Sequence, residues 1–164
     1  MTDTGSEIID FASLSEGQEI GCSPWIEIDQ SMIYDFGRVT RDPDPMHVDP
    51  EWAARNSPYG GTIAFGFLTV SLLTHMLHGA LGRNPAGDTG ESGHFLNYGM
   101  DYLRLISPLR AGSRIRGRFD VLEKRTDDKG RDIVKFDCRV EIEGAERPGL
   151  VAHWLAIWMP PEEH

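Results

Sequence analysis

Residues 63–81 read Ile-Ala-Phe-Gly-Phe-Leu-Thr-Val-Ser-Leu-Leu-Thr-His-Met-Leu-His-Gly-Ala-Leu, a stretch without a single Asp, Glu, Lys or Arg. A surface helix keeps a polar stripe, so a helix this apolar all round is buried on most sides. Its length approaches that of a membrane span. Ser71, Thr74, His75 and His78 interrupt it, however, and strand-like sequence follows, which favours the core helix of a soluble fold. Downstream, Ile115, Gly117, Phe119 and Val121 alternate with Arg114, Arg116, Arg118 and Asp120, the period of a half-buried strand. A turn at residues 127–130 leads into a second alternating run, Val134, Phe136, Cys138, Val140 and Ile142. Residues 143–149 turn again into Leu-Val-Ala-His-Trp-Leu-Ala-Ile-Trp-Met (150–159), apolar on both faces and so expected at the centre of a sheet. Residues 94–106 read as another strand, and residues 18–28 as a first strand interrupted near Pro24. The fold class is α+β: an antiparallel sheet of about five strands, joined largely by hairpins and wrapped around one long central helix.

Composition bounds the function. The 164 residues carry 16 Lys and Arg against 26 Asp and Glu, a formal net charge of −10, with 40% hydrophobic residues. A single domain of this length buries a sizeable core and is too apolar for wholesale disorder. The acidic balance argues against a nucleic-acid partner. Residues 1–12 lack the basic-then-apolar order of a signal peptide, and no membrane association is expected. Cys22 and Cys138 are too few for a disulfide framework, which points to a reducing, cytoplasmic setting.

Just upstream of the core helix lies Phe36-Gly-Arg-Val-Thr-Arg-Asp-Pro-Asp-Pro-Met-His-Val-Asp-Pro50. Asp29 is placed to cap a helix with Met32, Ile33 and Phe36 on one face, and that helix must end within residues 41–45, where prolines cannot continue it. Pro50, with Asp49 as its cap, opens a second short helix. Between the two, Asp42 and His47 stand on a proline-stiffened loop that can hold both side chains in a defined relation. A carboxylate and an imidazole converging on one point hold a water, and the imidazole takes its proton near neutral pH. Alone, such a pair more often caps turns and packs. Here it precedes Tyr59-Gly-Gly-Thr-Ile-Ala-Phe-Gly-Phe-Leu68, where Gly66 lets a ligand approach unpaired N–H groups at a helix start. An Asp/His pair and a backbone donor together suit the hydration of an alkene conjugated to a thioester.

These two stretches resemble the hydratase motif of MaoC-like dehydratases, the (R)-specific enoyl-CoA hydratases of the hotdog fold. Residues 97–116 (Asn-Tyr-Gly-Met-Asp-Tyr-Leu-Arg-Leu-Ile-Ser-Pro-Leu-Arg-Ala-Gly-Ser-Arg-Ile-Arg) are similar to the branch that includes nodulation protein N. The resemblance covers most of residues 18–158. It implies one hotdog domain over residues 1–164, with loosely held ends at 1–17 and 160–164, assembled as a homodimer. It also implies reversible hydration of trans-2-enoyl-CoA to (3R)-3-hydroxyacyl-CoA, a hydro-lyase reaction of fatty acid metabolism. Asp42 and His47 match the catalytic pair, and the amide of Gly66 matches the donor to the thioester oxygen. No cofactor is implied beyond the coenzyme A of the acyl-CoA substrate itself. Three positions depart from the usual pattern: Arg41 replaces the Gly before the catalytic Asp, Asp44 replaces an Asn, and Phe65 replaces a His. Phe65 removes a polar group from the pocket wall, which bears on substrate choice more than on the reaction.

Gly61, Thr62, Ile63 and Phe65 at the helix entrance, with Asn97 and Tyr98, complete the expected substrate-binding set. Arg104 and Arg110 are the candidates for phosphate contact, whereas Arg114, Arg116 and Arg118 alternate as on a solvated strand face. His75 and His78 are read as core packing and no metal is expected. Trp154 and Trp158 fill core or subunit interface, and residues 79–93 form a glycine-rich surface loop or a lid over an acyl tunnel. Two other readings stand beside the hydratase: a non-catalytic or heteromeric module that binds acyl thioesters, and a hotdog thioesterase.

Overall fold

The computed structural model describes residues 9–83 and 94–160. The first strand is cut at Pro24, which has no N–H to give a ladder, into β1 (Glu19–Cys22) and β2 (Ile26–Ile28). Three helices follow, α1 (Gln30–Thr40), α2 (Pro45–Val48) and α3 (Pro50–Asn56), then α4 (Gly66–Ser71) and α5 (Leu73–Ala80). Four long strands complete the chain: β3 (His94–Leu105), β4 (Ser113–Thr126), β5 (Asp132–Ile142) and β6 (Leu150–Met159). The antiparallel sheet runs β1-β4-β5-β6-β3, with β2 also on β4, so it has six strands where about five were expected. Ser23 bridges the break: its amide donates to the Gly117 carbonyl at 2.8 Å and its hydroxyl accepts from the Gly117 amide at 3.0 Å.

Three other expectations are corrected. The central helix is not continuous: residues 63–65 are extended, Ile63 bridging to Arg110, and Leu72 separates α4 from α5. Ser71 explains the break, because its hydroxyl donates back to the Phe67 carbonyl at 2.8 Å, a bond that bends helices. The connection from β3 to β4 is not a hairpin; β3 pairs with β6, and the stretch between spends its backbone bonds on the extended entrance to α4. There the Ala64 amide donates to the Leu109 carbonyl at 2.7 Å and the Ala111 amide to the Thr62 carbonyl at 3.0 Å. Finally, the N-terminal segment is held from residue 9 onward. Phe11 is fully buried, its ring 5.1 Å from Phe95 and 4.9 Å from Trp158.

The core lies between α4–α5 and the concave face of the sheet, where Met76 and Leu77 meet Phe119, Phe136, Cys138 and Trp154, all buried. Burial pushes the Cys138 thiol well above its ordinary pKa. The strand read as central is interior, and its other face carries Leu155 and Ile157 in a second small cluster with Ile133. Trp154 and Trp158 are both core residues. His78 stacks on Phe95 with ring centroids 5.2 Å apart. No helix among the described residues is long and apolar enough to cross a membrane. The possible lid falls largely at residues 84–93, outside the described residues.

Candidate active site

Two Asp-Pro steps build the loop around the expected catalytic pair. Asp44 caps α2, its carboxylate accepting from the Met46 amide at 2.9 Å, and Asp49 caps α3, accepting from the Trp52 amide at 2.9 Å. Each is followed by Pro at the first helical position, where a missing N–H costs nothing. His47 therefore stands on a short helix and not on the loop expected for it. Asp42 does lie on the loop, exposed, its Oδ1 accepting from the Asp44 amide at 3.2 Å.

His47 is the best-fixed side chain of the set. Its Nδ1 lies 2.7 Å from the carbonyl oxygen of Ile63. A carbonyl only accepts, so Nδ1 carries the proton and the neutral ring keeps Nε2 as its basic nitrogen. The ring rests on Phe65, centroids 4.0 Å apart, and Phe36 backs Phe65 at 5.3 Å. The peptide behind His47 is fixed by a residue that sequence reading missed. Gln30 donates from Nε2 to the His47 carbonyl at 2.9 Å and accepts from the Thr62 hydroxyl. Thr62, Ile63 and Phe65 thus gather at His47, with Phe65 as a wall of its environment.

Gly37 brings the main chain of Asp42, by its carbonyl, against the same elements, while the Asp42 carboxylate is engaged with the Asp44 amide. A Cβ built on it would stand 2.9 Å from the Asp42 carbonyl oxygen, 2.9 Å from Val48 Cγ1 and 3.0 Å from Phe65 Cζ. Only glycine lets α1 come this close. Gly66 opens α4 after Phe65 in extended conformation, and no side chain caps that helix start. A methyl on Gly66 would overlap Leu105 Cδ1, so a larger residue there would have to displace that exposed side chain.

The remaining candidates scatter. A cleft of about 340 Å³ opens between Val70, Ser71 and Thr74 on the helices and Asn97, Met100 and Trp154 on the sheet, at the bulge between Asn97 and Gly99. Asn97 is therefore both at a bulge and on a cleft wall. Tyr98, beside it, is exposed and outside that lining. Arg110 donates to the Gly60 carbonyl at 3.3 Å and so anchors the turn that carries Gly61. Arg104 donates to the Leu103 carbonyl at 2.8 Å and lies over the Tyr102 ring. Arg114, Arg116 and Arg118 pair with Glu143, Glu141 and Glu19, as a solvated strand face does. Among the described residues no three His, Cys, Asp or Glu side chains stand close enough to hold a metal ion.

The chain matches the family model described as MaoC like domain over residues 11–142. It is 43% identical over 141 residues to nodulation protein N of Rhizobium leguminosarum bv. viciae, covering 86% of this chain and 84% of that protein. It is 32% identical over 159 residues to 3-hydroxyacyl-thioester dehydratase Z of Mycobacterium tuberculosis, covering 95% and 98%. The solved structure of R-hydratase PhaJ1 from Pseudomonas aeruginosa aligns with a TM-score of 0.71 at 24% identity, over 94% of this chain and 87% of that one. The shared fold is the hotdog.

Proposed function

This chain belongs to the MaoC-like family, and on that footing we propose that it catalyses the reversible (R)-specific hydration of trans-2-enoyl-CoA thioesters to (3R)-3-hydroxyacyl-CoA. The observation that carries the reading is the bond from His47 Nδ1 to the Ile63 carbonyl, which leaves Nε2 ready to take a proton. In an enoyl thioester the carbonyl makes C3 electrophilic. Asp42 and His47 position a water and remove its proton as its oxygen bonds to C3. The electron pair of the double bond moves toward the thioester oxygen, where the Gly66 amide stabilises the enolate charge. A proton returned from the pair to C2 completes the addition, and the reverse path dehydrates.

The cleft beyond Gly66 suits the acyl chain. Val70 and Thr74 follow Gly66 by one and two turns, roughly 6 and 12 Å along the helices, and Val70, Met100 and Trp154 supply its apolar walls. A second copy of the chain completes the assembly along β3, a long strand at the edge of the sheet that, among the described residues, pairs only with β6. Leu96, Tyr98, Tyr102 and Leu105 on that strand are exposed, and a long exposed apolar edge invites pairing.

The test follows two signals during incubation with crotonyl-CoA: loss of the conjugated enoyl absorbance and release of free thiol. A hydratase gives the first without the second, a thioesterase the second without the first, and a binding module neither. Asp42→Asn and His47→Gln are each expected to lower kcat by about 10²–10⁴. Near-normal kcat in both folded variants would reject the assignment.

A further inference from the structure

A second cleft, of about 300 Å³, opens beside α1 and its C-terminal cap and shares Asp42 with the proposed active site. Its floor is apolar, made by Pro43, Val48 and the bare Cα of Gly37, and Tyr34, Arg38 and Arg41 stand on its walls. Tyr34, Arg38 and Arg41 follow one another at four and three residues, one side of α1 continued into its cap.

Arg41 is the unusual member. It caps α1 in the left-handed region, φ 60° and ψ 34°, and is the one non-glycine residue with positive φ among those described. Glycine takes that conformation freely, whereas an L side chain is strained there. The arginine therefore stands against a backbone preference. Its guanidinium has no ion-pair or hydrogen-bond partner among the described residues, so no internal contact explains it. Arg38 is only loosely engaged: Asp35 lies 3.4 Å away, and both side chains are about two-thirds exposed (64% and 66%). In a chain of net charge −10, two available guanidinium groups and a phenol beside an apolar floor form a receptor for an organic anion with an apolar stem.

From this arrangement we infer that Arg41, assisted by Arg38, binds an anionic group of the thioester substrate. Arg41 is then a specificity residue lying next in the chain to Asp42. The inference rests on the thioester reading above and adds to it which charge the substrate carries near this cleft. Phosphate on the carrier and carboxylate on the acyl group offer the same chemistry to a guanidinium, and the experiment separates them.

Binding is measured by calorimetry with saturated thioesters, which cannot be hydrated: butyryl-CoA, with phosphates on the carrier; butyryl-pantetheine, neutral; and glutaryl-pantetheine, with a carboxylate on the acyl end. Arg41→Gly suits the left-handed cap, so its melting temperature is expected to rise by about 2–4 °C. The preference for a charged ligand over the neutral one should at the same time fall at least tenfold. The fall appears in the butyryl-CoA arm if the carrier supplies the anion, and in the glutaryl-pantetheine arm if the acyl group does. Arg38→Gln should move the same arm by a smaller factor. An unchanged preference in Arg41→Gly, in both charged arms, overturns the inference. Because no turnover is needed, the hydratase reading fails separately: an inactive protein whose charged-ligand preference still depends on Arg41 sinks that reading and leaves this one standing.

Discussion

Around His47 the chain holds a ring by three independent means: a carbonyl on one nitrogen, an aromatic face, and an amide on the peptide behind it. Each can be removed singly. Gln30→Ala frees the His47 peptide and leaves the Thr62 hydroxyl, on a residue only 5% exposed, without its partner. It is expected to lower kcat/KM by up to about 10²-fold through misplacement of the base, read in steady-state hydration rates with folding checked by circular dichroism. Gly37→Ala forces a methyl against the Asp42 carbonyl oxygen, which as backbone cannot swing aside. A loss of about 1–3 kcal/mol is expected, measured by urea denaturation, with a fall in activity because the same methyl presses on Phe65. Asp42, His47 and Gly66 were nameable as candidates because their signal is local, a handful of residues of defined type and spacing. Gln30 and Gly37 were not, since their importance comes from partners distant in the chain: Gln30 meets His47 17 residues away and Thr62 32 residues away. Nothing local distinguishes a glutamine at the start of a helix.

Two helix starts were readable from the carboxylate that precedes them. Asp29 caps α1, accepting from the Met32 amide at 2.8 Å, and that bond holds its carboxyl below the usual carboxylate range. Asp49 and Pro50 open α3 as expected. The same Asp-Pro signal stands at Asp44-Pro45, inside the stretch expected as a proline-stiffened loop; there it opens a helix of a single turn, α2. Hidden from a periodicity argument was the interruption at Leu72, which depends on where one hydroxyl turns. The β4–β5 hairpin allows a pH test. Arg131 and backbone amides around the turn hold the Asp127 carboxyl down to about 2, the Arg131 side chain being the main cause. A lowered folded-state pKa contributes stability above the ordinary aspartate value, near 3.9, which is lost as pH falls through about 2. Asp127→Asn should therefore melt below the wild type above about pH 4, and the gap should close as pH approaches 2. A gap independent of pH would place the effect in the turn geometry and not in the charge.

At the scale of the molecule, the alternation of two strands, the doubly apolar run at residues 150–159 and the apolar run at residues 63–81 sufficed for the architecture, because burial patterns record which face meets the core. The order of strands was less legible: nothing in the sequence of β3 distinguishes pairing with β6 from pairing with β4. The anchoring of the N-terminal segment was also missed, since Ile8, Ile9 and Phe11 make only a short apolar patch among Asp3, Glu7, Asp10 and Glu16. Phe11→Ala is expected to cost about 3–5 kcal/mol, detectable as an earlier urea midpoint, where a loosely held tail would show no change. The dimer proposed along β3 predicts that Leu96→Lys sediments as a monomer in sedimentation velocity where the unsubstituted chain sediments as a dimer; an unaltered dimer would place the interface elsewhere. One packing detail ties these scales together. Leu105, at the end of that edge strand, occupies the space a methyl at position 66 would need. Natural variants of this chain should consequently trade volume between the two positions, an alanine at 66 appearing only with a trimmed residue at 105. Through the same contact, a shift of the outermost strand would be felt where the core helix begins.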